Sequence, residues 1–320
     1  MIISEETATA ILQGDVRAAA RLMRALDDGI PEAWEVLKQL YPYSGLAHII
    51  GITGPPGVGK STLTDRLILH LRQEGKTVGV VAVDPTSPFT GGALLGDRIR
   101  MQRHALDEGV FIRSLATRGH FGGLTASARA VITVMDAMGK DYILVETVGA
   151  GQDEVEIAGA AYTTMVVTVP GLGDEVQASK AGIFEIADIL VVNKADREGA
   201  ARTYQDLVQM LEMQTFREDS IWKPRVLMVQ ANVDQGIDEL MKVIRDHQEF
   251  LYRDQGKALR AARYSHLRQE FLELLRDGVF RRLVQQLIED GRLEEILQKI
   301  LEKRGDPYSA SEELVRETLG

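Results

Sequence analysis

Cysteine is absent from this 320-residue chain. Disulfides, thiolate metal centres, iron–sulfur clusters and a cysteine nucleophile are therefore excluded. Histidine is scarce, six in all, and no two stand at the spacing of paired metal ligands. Positive charge is in deficit, with 37 Lys and Arg against 47 Asp and Glu and a net charge of −10. That balance argues against a nucleic-acid surface spread over the protein, though not against a local phosphate site. No apolar run is long enough to span a bilayer. The N-terminal stretch MIISEETATAILQGDVRAAARLMRALDDG is charged throughout and lacks the apolar core of a signal peptide. The expectation is a cytoplasmic protein with no membrane and no nucleic-acid partner.

What the chain does have is an ordinary share of hydrophobic residues, 45%, enough for a sizeable core. From Glu5 to about Leu40 the periodicity is helical, with Ile11, Val16, Ala19, Leu22, Met23 and Leu26 expected along one face. Pro31 opens a second helix and Pro42 follows it. Beyond AHIIGIT, apolar β-type runs (TVGVVAVD, VFIRSLA, YILVETV, TTMVVTV, DILVVNK, RVLMVQA) are mostly separated by helical segments. Such alternation implies parallel strands joined by crossover helices. After about Gly236 the strands stop, and the remainder reads as amphipathic helix. The expected architecture is an α/β P-loop domain with a mainly parallel central sheet flanked by helices, over 46–255. An N-terminal helical extension (1–45) precedes it. A C-terminal helical extension (256–320) follows, with a solvated lid and a dimer surface both compatible with its apolar stripes.

The segment GPPGVGKST fits G-x-x-x-x-G-K-[ST] between a strand and a helix. Its backbone N–H groups and the helix N-terminus suit phosphate oxygens. Gly54, Pro55, Pro56, Gly57, Val58, Gly59, Lys60, Ser61 and Thr62 are thus expected to hold a nucleotide, with Lys60 on the β- and γ-phosphates and Ser61 on Mg²⁺. Downstream, NKAD follows a strand. The Asp196 carboxylate can accept from the N1–H and exocyclic amine of guanine, a donor pair that adenine lacks. Asn193 can bond the purine edge, and the stem of Lys194 can cover a base face. Ala231 and Asn232 sit where a last loop could offer N–H groups to the guanine oxygen.

The stretch DYILVETVGAGQDE raises a sharper question, because a glutamate, Glu146, closes a buried strand. It could be a metal-site carboxylate, a general base or a surface residue. With Mg-GTP in place it reads as a carboxylate of the metal shell, and the Gly149 N–H as a contact of the γ-phosphate. Asp84, at the end of the preceding strand, and Asp97, in the following loop, are further oxygen candidates for Mg²⁺; Asp97 also suits a helix N-cap. Gly91, Gly92 and Gly96 fit a switch loop.

Together, GPPGVGKST, DPTSPFTGGALLGDRIRM, RSLATRGHFGGL, ILVETVGAGQDE, VPGLGDEVQASKAGIFEIADILVVNKAD and the terminal GDPY resemble the MeaB/ArgK-type GTPases over nearly the whole chain. The resemblance implies a homodimeric GTPase chaperone of an adenosylcobalamin-dependent acyl-CoA mutase, chiefly methylmalonyl-CoA mutase. Such a chaperone couples GTP hydrolysis to cofactor loading and to protection or reactivation of the mutase. The resemblance also implies a further switch at Pro170–Gly182, carrying Asp174, Glu175, Gln177 and Lys180, with Lys180 linking it to the nucleotide. Read without the resemblance, that segment is an ordinary loop leading into a helix. No cobalamin motif DxHxxG appears, so the cofactor is expected on the mutase rather than held tightly by this chain.

Ala150 follows Gly149, where Ras-like enzymes carry a water-orienting glutamine; Gln152 is out of register. No arginine stands out as a finger among Arg98, Arg100, Arg113 and Arg118. Hydrolysis is therefore expected to be slow in isolation and faster with a partner. The competing readings are a nickel-insertion GTPase for hydrogenase or urease, and an ATP-dependent kinase linked to amino-acid transport.

Overall fold

The computed structural model describes residues 5–84, 101–104, 106–116, 126–147, 159–171, 184, 186–213 and 222–319. Three helices come first: α1 (Glu5–Leu12), α2 (Val16–Asp27) and α3 (Pro31–Leu40). The expected single N-terminal face is broken between α1 and α2. Asp15 caps α2, its carboxylate accepting from the N–H groups of Arg17 and Ala18 at 2.8 and 3.0 Å. Restarting the helix changes its phase, so Ile11, Ala19, Leu22, Met23 and Leu26 are buried whereas Val16 is exposed.

Strand β1 (His48–Thr53) leads into α4 (Lys60–Gln73); β2 (Val78–Asp84), β3 (Val110–Ala116), α5 (Ala126–Ala137), β4 (Tyr142–Thr147), β5 (Thr163–Thr168), β6 (Ile189–Val192), α6 (Ala200–Met213) and β7 (Arg225–Met228) follow. The strands form one seven-stranded sheet in the order β3-β2-β4-β1-β5-β6-β7. Every adjacent pair is parallel. Strands buried on both faces read as continuous apolar runs, which is why β1, β4, β5 and β6 show no polar alternation.

The two faces feed two cores. Ile49, Val81, Val83, Ile143 and Val145 pack with residues of α1–α3 and α5. Ile50, Ile52, Val80 and Leu144 pack with Leu63, Leu67, Ile68 and Leu71 of α4 and with Ile237, Leu240, Met241 and Ile244. The last four residues open the helical stretch α7 (Ile237–Glu289), which is broken at Arg253–Gly256, where Asp254, Gln255 and Gly256 take left-handed angles. Two more helices follow, α8 (Arg292–Leu301) and α9 (Pro307–Leu319).

The chain divides into two compact units, Met1–Arg263 and Tyr264–Gly320. The N-terminal helices share the core of the first unit, so they are part of the sheet-bearing body. The second unit is helical, and Tyr264, Leu267, Phe271, Leu275 and Phe280 are exposed on it. No helix among the described residues is long and apolar enough to cross a membrane.

Candidate functional site

Ligands of open parallel sheets bind at the carboxyl ends of the strands. Here β1 ends at Thr53 and turns directly into Gly54. A side chain at Gly54 would place its Cβ 2.1 Å from the Val167 carbonyl oxygen of β5, and its φ is +136°. Gly59, with φ +95°, starts α4; a Cβ there would lie 2.5 Å from Asn193 Nδ2. Both positions thus require glycine, one against backbone and one against a buried side chain. Lys60 is buried, its ammonium donating to the carbonyls of Gly54 at 2.7 Å and Pro55 at 2.9 Å. The loop, its lysine and the N-terminus of α4 converge at one point.

Parallel pairing puts Ile52 of β1 opposite Glu146 of β4. The Glu146 side chain is only 3% exposed, which removes the surface-residue reading. Its Oε1 accepts from Ser61 Oγ at 2.6 Å and its Oε2 from Thr64 Oγ1 at 2.9 Å. Ser61 and Thr64 are three residues apart on α4 and so share a face. The carboxylate that closes β4 is therefore held by the helix that follows the glycine loop. Beside it, Thr147 Oγ1 donates to Thr53 Oγ1 at 3.1 Å, tying the ends of β4 and β1 together.

The donor set of Ser61 and Glu146 is hard oxygen. Among the described residues no group of three or more His, Cys, Asp or Glu forms a cage. The Ser61–Glu146 oxygen pair fits Mg²⁺, which takes one or two protein oxygens and completes its shell with water and phosphate.

Asn193 follows β6, two strands from β1. It is buried, its Nδ2 donating to the Val58 carbonyl at 2.8 Å and its Oδ1 accepting from the Ala231 N–H at 3.2 Å. One side chain thus joins the glycine loop to the loop after β7. Lys194, at a left-handed φ of 56°, donates to the Gly57 carbonyl at 2.7 Å. Asp196 is exposed on the same turn, whose Ala195 N–H is bonded to the Val229 carbonyl at 3.1 Å. The Ala231 N–H is directed at Asn193, which leaves Asn232 as the other expected donor of that loop.

Sequence reasoning did not single out Thr64, Asp65 or Arg66, all on α4. The signal for Thr64 was its spacing from Ser61. Asp65 binds Arg103 and, at 2.9 Å, His104 of the short turn Gln102–His104. Burial, and next the Arg103 charge, hold His104 below the ordinary histidine value. Arg113 lies within the body of edge strand β3, opposite Val81. Three strand spacings separate β3 from β1, about 14 Å, so it does not stand beside the glycine loop. Asp97, Gly149, Lys180, Gln152, Arg98, Arg100, Arg118, the glycines Gly91, Gly92 and Gly96, and Asp174, Glu175 and Gln177 lie outside the described residues, as does the side chain of Asp84.

A glycine loop at the carboxyl end of a central parallel strand, answered by a carboxylate from the neighbouring strand, is the arrangement of P-loop nucleotide hydrolases. Comparison with known proteins narrows the class. Residues 19–288 match the model of the methylmalonyl Co-A mutase-associated GTPase MeaB, and the chain belongs to that family. A putative GTPase of Pyrococcus abyssi is 50% identical over 309 residues, covering 96% of this chain and 94% of its own. GTPase ArgK of Escherichia coli is 36% identical over 251 residues, 75% of each chain. A crystal structure titled LAO/AO transport system kinase aligns over 100% of both chains with a TM-score of 0.71 and 26% identity.

Proposed function

We propose that the chain is a GTP-hydrolysing chaperone of an adenosylcobalamin-dependent acyl-CoA mutase, with methylmalonyl-CoA mutase as the first candidate client. The observation that carries the hydrolytic part is the buried Glu146 carboxylate held by Ser61 and Thr64 beside the glycine loop. Its negative charge and the Ser61 hydroxyl would hold Mg²⁺, which neutralises phosphate charge when bound. Lys60 would leave its loop carbonyls for the β- and γ-phosphates of GTP. Asp196 would pair with the guanine edge, with Asn193, Lys194, Ala231 and Asn232 around the base. Asp84, Asp97, Gly149 and Lys180 complete the proposed site as metal-shell, γ-phosphate and switch residues.

The description of the family, methylmalonyl Co-A mutase-associated GTPase MeaB, supports the mutase as client. A mouse mitochondrial relative, named methylmalonic aciduria type A homolog, is 36% identical over 206 residues, 63% of this chain and 49% of its own. In this reading the cobalamin stays on the mutase, the complex is cytoplasmic, and hydrolysis is slow until the partner orders the switch segments. The exposed apolar residues of Tyr264–Gly320, spaced three and four apart at Tyr264, Leu267, Phe271 and Leu275, support a homodimer surface.

The test is hydrolysis by the purified protein, alone and with methylmalonyl-CoA mutase, with ATP as control. Slow hydrolysis of GTP only, rising with the mutase, is the expected result. Equal turnover of ATP would overturn the guanine assignment, and no response to the mutase would overturn the client.

A further inference from the structure

We propose that Arg66 is a positioning residue for the purine edge, setting the direction of the one loop N–H that can reach the oxo group of guanine. The inference rests on the guanine-nucleotide reading and extends it to a residue outside every nucleotide motif of the chain. Arg66 lies on the second turn of α4, and its guanidinium bridges two successive carbonyls of the loop after β7. Nε donates to the Ala231 oxygen at 2.9 Å and Nη2 to the Asn232 oxygen at 2.9 Å. A planar fork presents two N–H groups in fixed geometry to such a pair of acceptors, whereas an ammonium on a flexible stem holds them less rigidly. One helical turn further, His70 Nε2 lies 3.2 Å from each carboxylate oxygen of Asp234, and its Nδ1 lies 3.4 Å from Asp238.

The consequence follows from peptide geometry. The Ala231 carbonyl and the Asn232 N–H belong to one planar peptide, and the chain has no cis bond among its described residues. In a trans peptide the two groups point in opposite directions. Holding the Ala231 oxygen on Arg66 therefore fixes where the Asn232 N–H points. The neighbouring donors are already engaged: the Ala231 N–H with Asn193 Oδ1 at 3.2 Å, and the Val233 N–H with the Gln230 carbonyl at 3.1 Å. The loop is closed behind them by the Gln230 N–H on the Gln235 carbonyl at 2.9 Å. Because Arg66 sits on the helix whose N-terminus faces the phosphates, the phosphate and base ends of the site share one rigid element.

Isothermal titration of the full chain with GDP, IDP, ADP and 2-aminopurine riboside diphosphate tests this, comparing wild type with Arg66→Ala and Arg66→Lys. IDP keeps the oxo group of guanine, whereas the 2-aminopurine nucleotide lacks it but keeps the exocyclic amine. In Arg66→Ala the dissociation constants of GDP and IDP should rise about tenfold, the loss of one hydrogen bond of ordinary strength. That of the 2-aminopurine nucleotide should change less than about twofold, since the affected contact is already missing. Arg66→Lys, which keeps the charge but loses the rigid fork and so holds the loop carbonyls less firmly, should fall between and serves if the alanine variant does not fold. Equal weakening of all three nucleotides would overturn the inference, because a merely structural role weakens every ligand alike. Wild-type binding of ADP as tight as that of GDP would overturn the guanine reading and the inference with it.

Discussion

The close approach of Gly59 to Asn193 leads to a quantitative double-mutant prediction. Gly59→Ala adds a Cβ 2.5 Å from Asn193 Nδ2, with the next nearest atoms at 3.8 Å or more, so among the described residues the side chain of Asn193 is the serious obstacle. That side chain is 3% exposed and bonded at both ends, to the Val58 carbonyl and the Ala231 N–H. It can yield only by giving up those bonds, at about 3 kcal/mol for two buried groups left poorly paired. The left-handed φ of +95° adds about 1–2 kcal/mol for any residue with a Cβ. Gly59→Ala should therefore destabilise by about 4–5 kcal/mol, and Asn193→Ala by about 3 kcal/mol. In the double variant the clash has nothing to meet and the bonds are already gone. Its cost should be about 4–5 kcal/mol rather than the additive sum near 7–8, a coupling of about 3 kcal/mol. Urea unfolding followed by the fluorescence of Trp34 and Trp222 measures each corner of the cycle. Additivity to within about 0.5 kcal/mol would refute the reasoning, since it would mean that the Gly59 requirement does not run through Asn193.

Three further outcomes are expected. Glu146→Gln keeps the shape of the side chain but removes its charge, so the GTP hydrolysis rate at saturating Mg²⁺ should fall by about 10²-fold, while Mg²⁺-free GDP affinity changes little; an unaltered rate in single-turnover assays would sink the role of the carboxylate. Phe271→Asp, at a position 64% exposed, should raise the dissociation constant of the proposed homodimer by tenfold or more, read by light scattering across a dilution series; a wild type that stays monomeric, or an unchanged dissociation constant, would remove the second unit as the proposed interface. Stability should also fall in mild acid. His48 is buried against Thr163 and held down to about 4 by desolvation, so its contribution is present above about 6.5 and is lost as pH falls toward 4. His247, bonded to the same Thr163 hydroxyl at 2.9 Å, is depressed by burial and then by His48, and acts with the same sign. Asp188, 3.5 Å from His247, is raised by burial and acts with the opposite sign, cancelling one of the two histidines over this window. These three groups together contribute a slope of about one proton, about 1.4 kcal/mol per pH unit, within the window between about pH 6.5 and 4, and the depressed His104 adds to it with the same sign. His48→Gln should reduce the slope, and a variant as acid-sensitive as wild type in denaturant titrations would contradict this.

Much of the architecture was legible along the chain because its signals are local. Continuous apolar runs of strand length between helical segments imply a parallel sheet whatever the strand order, since crossover helices leave both faces covered. GPPGVGKST and NKAD are recognisable for the same reason, each being a short run of fixed residue types at a strand end, although the partners of Asn193 and Lys194 lie in distant loops. The phase break at Gln13–Asp15 was also written locally, in Gly14 and the capping Asp15, yet the apolar periodicity across it concealed the restart and left Val16 on the wrong face.

Glu146 shows where local reading stops. Its strand, its place at the strand end and its following glycine were visible in ETVG, but its environment was not. Its partners Ser61 and Thr64 lie 85 and 82 residues earlier. Only the insertion of β1 beside β4 in the sheet brings α4 over its carboxylate. Arg66 was wholly silent for the same reason. On a helix of mixed polarity it is one more solvated cation until the loop after β7, 165 and 166 residues away, turns two carbonyls toward it. By itself the sequence determined the elements, the phosphate loop and the chemical types available to bind a nucleotide, because those follow from backbone propensity and short-range pattern. Which carboxylate is buried, which glycine faces a side chain, and which arginine holds the loop after β7 were decided by strand order, because hydrogen bonds between distant segments exist only once the sheet has set their separation.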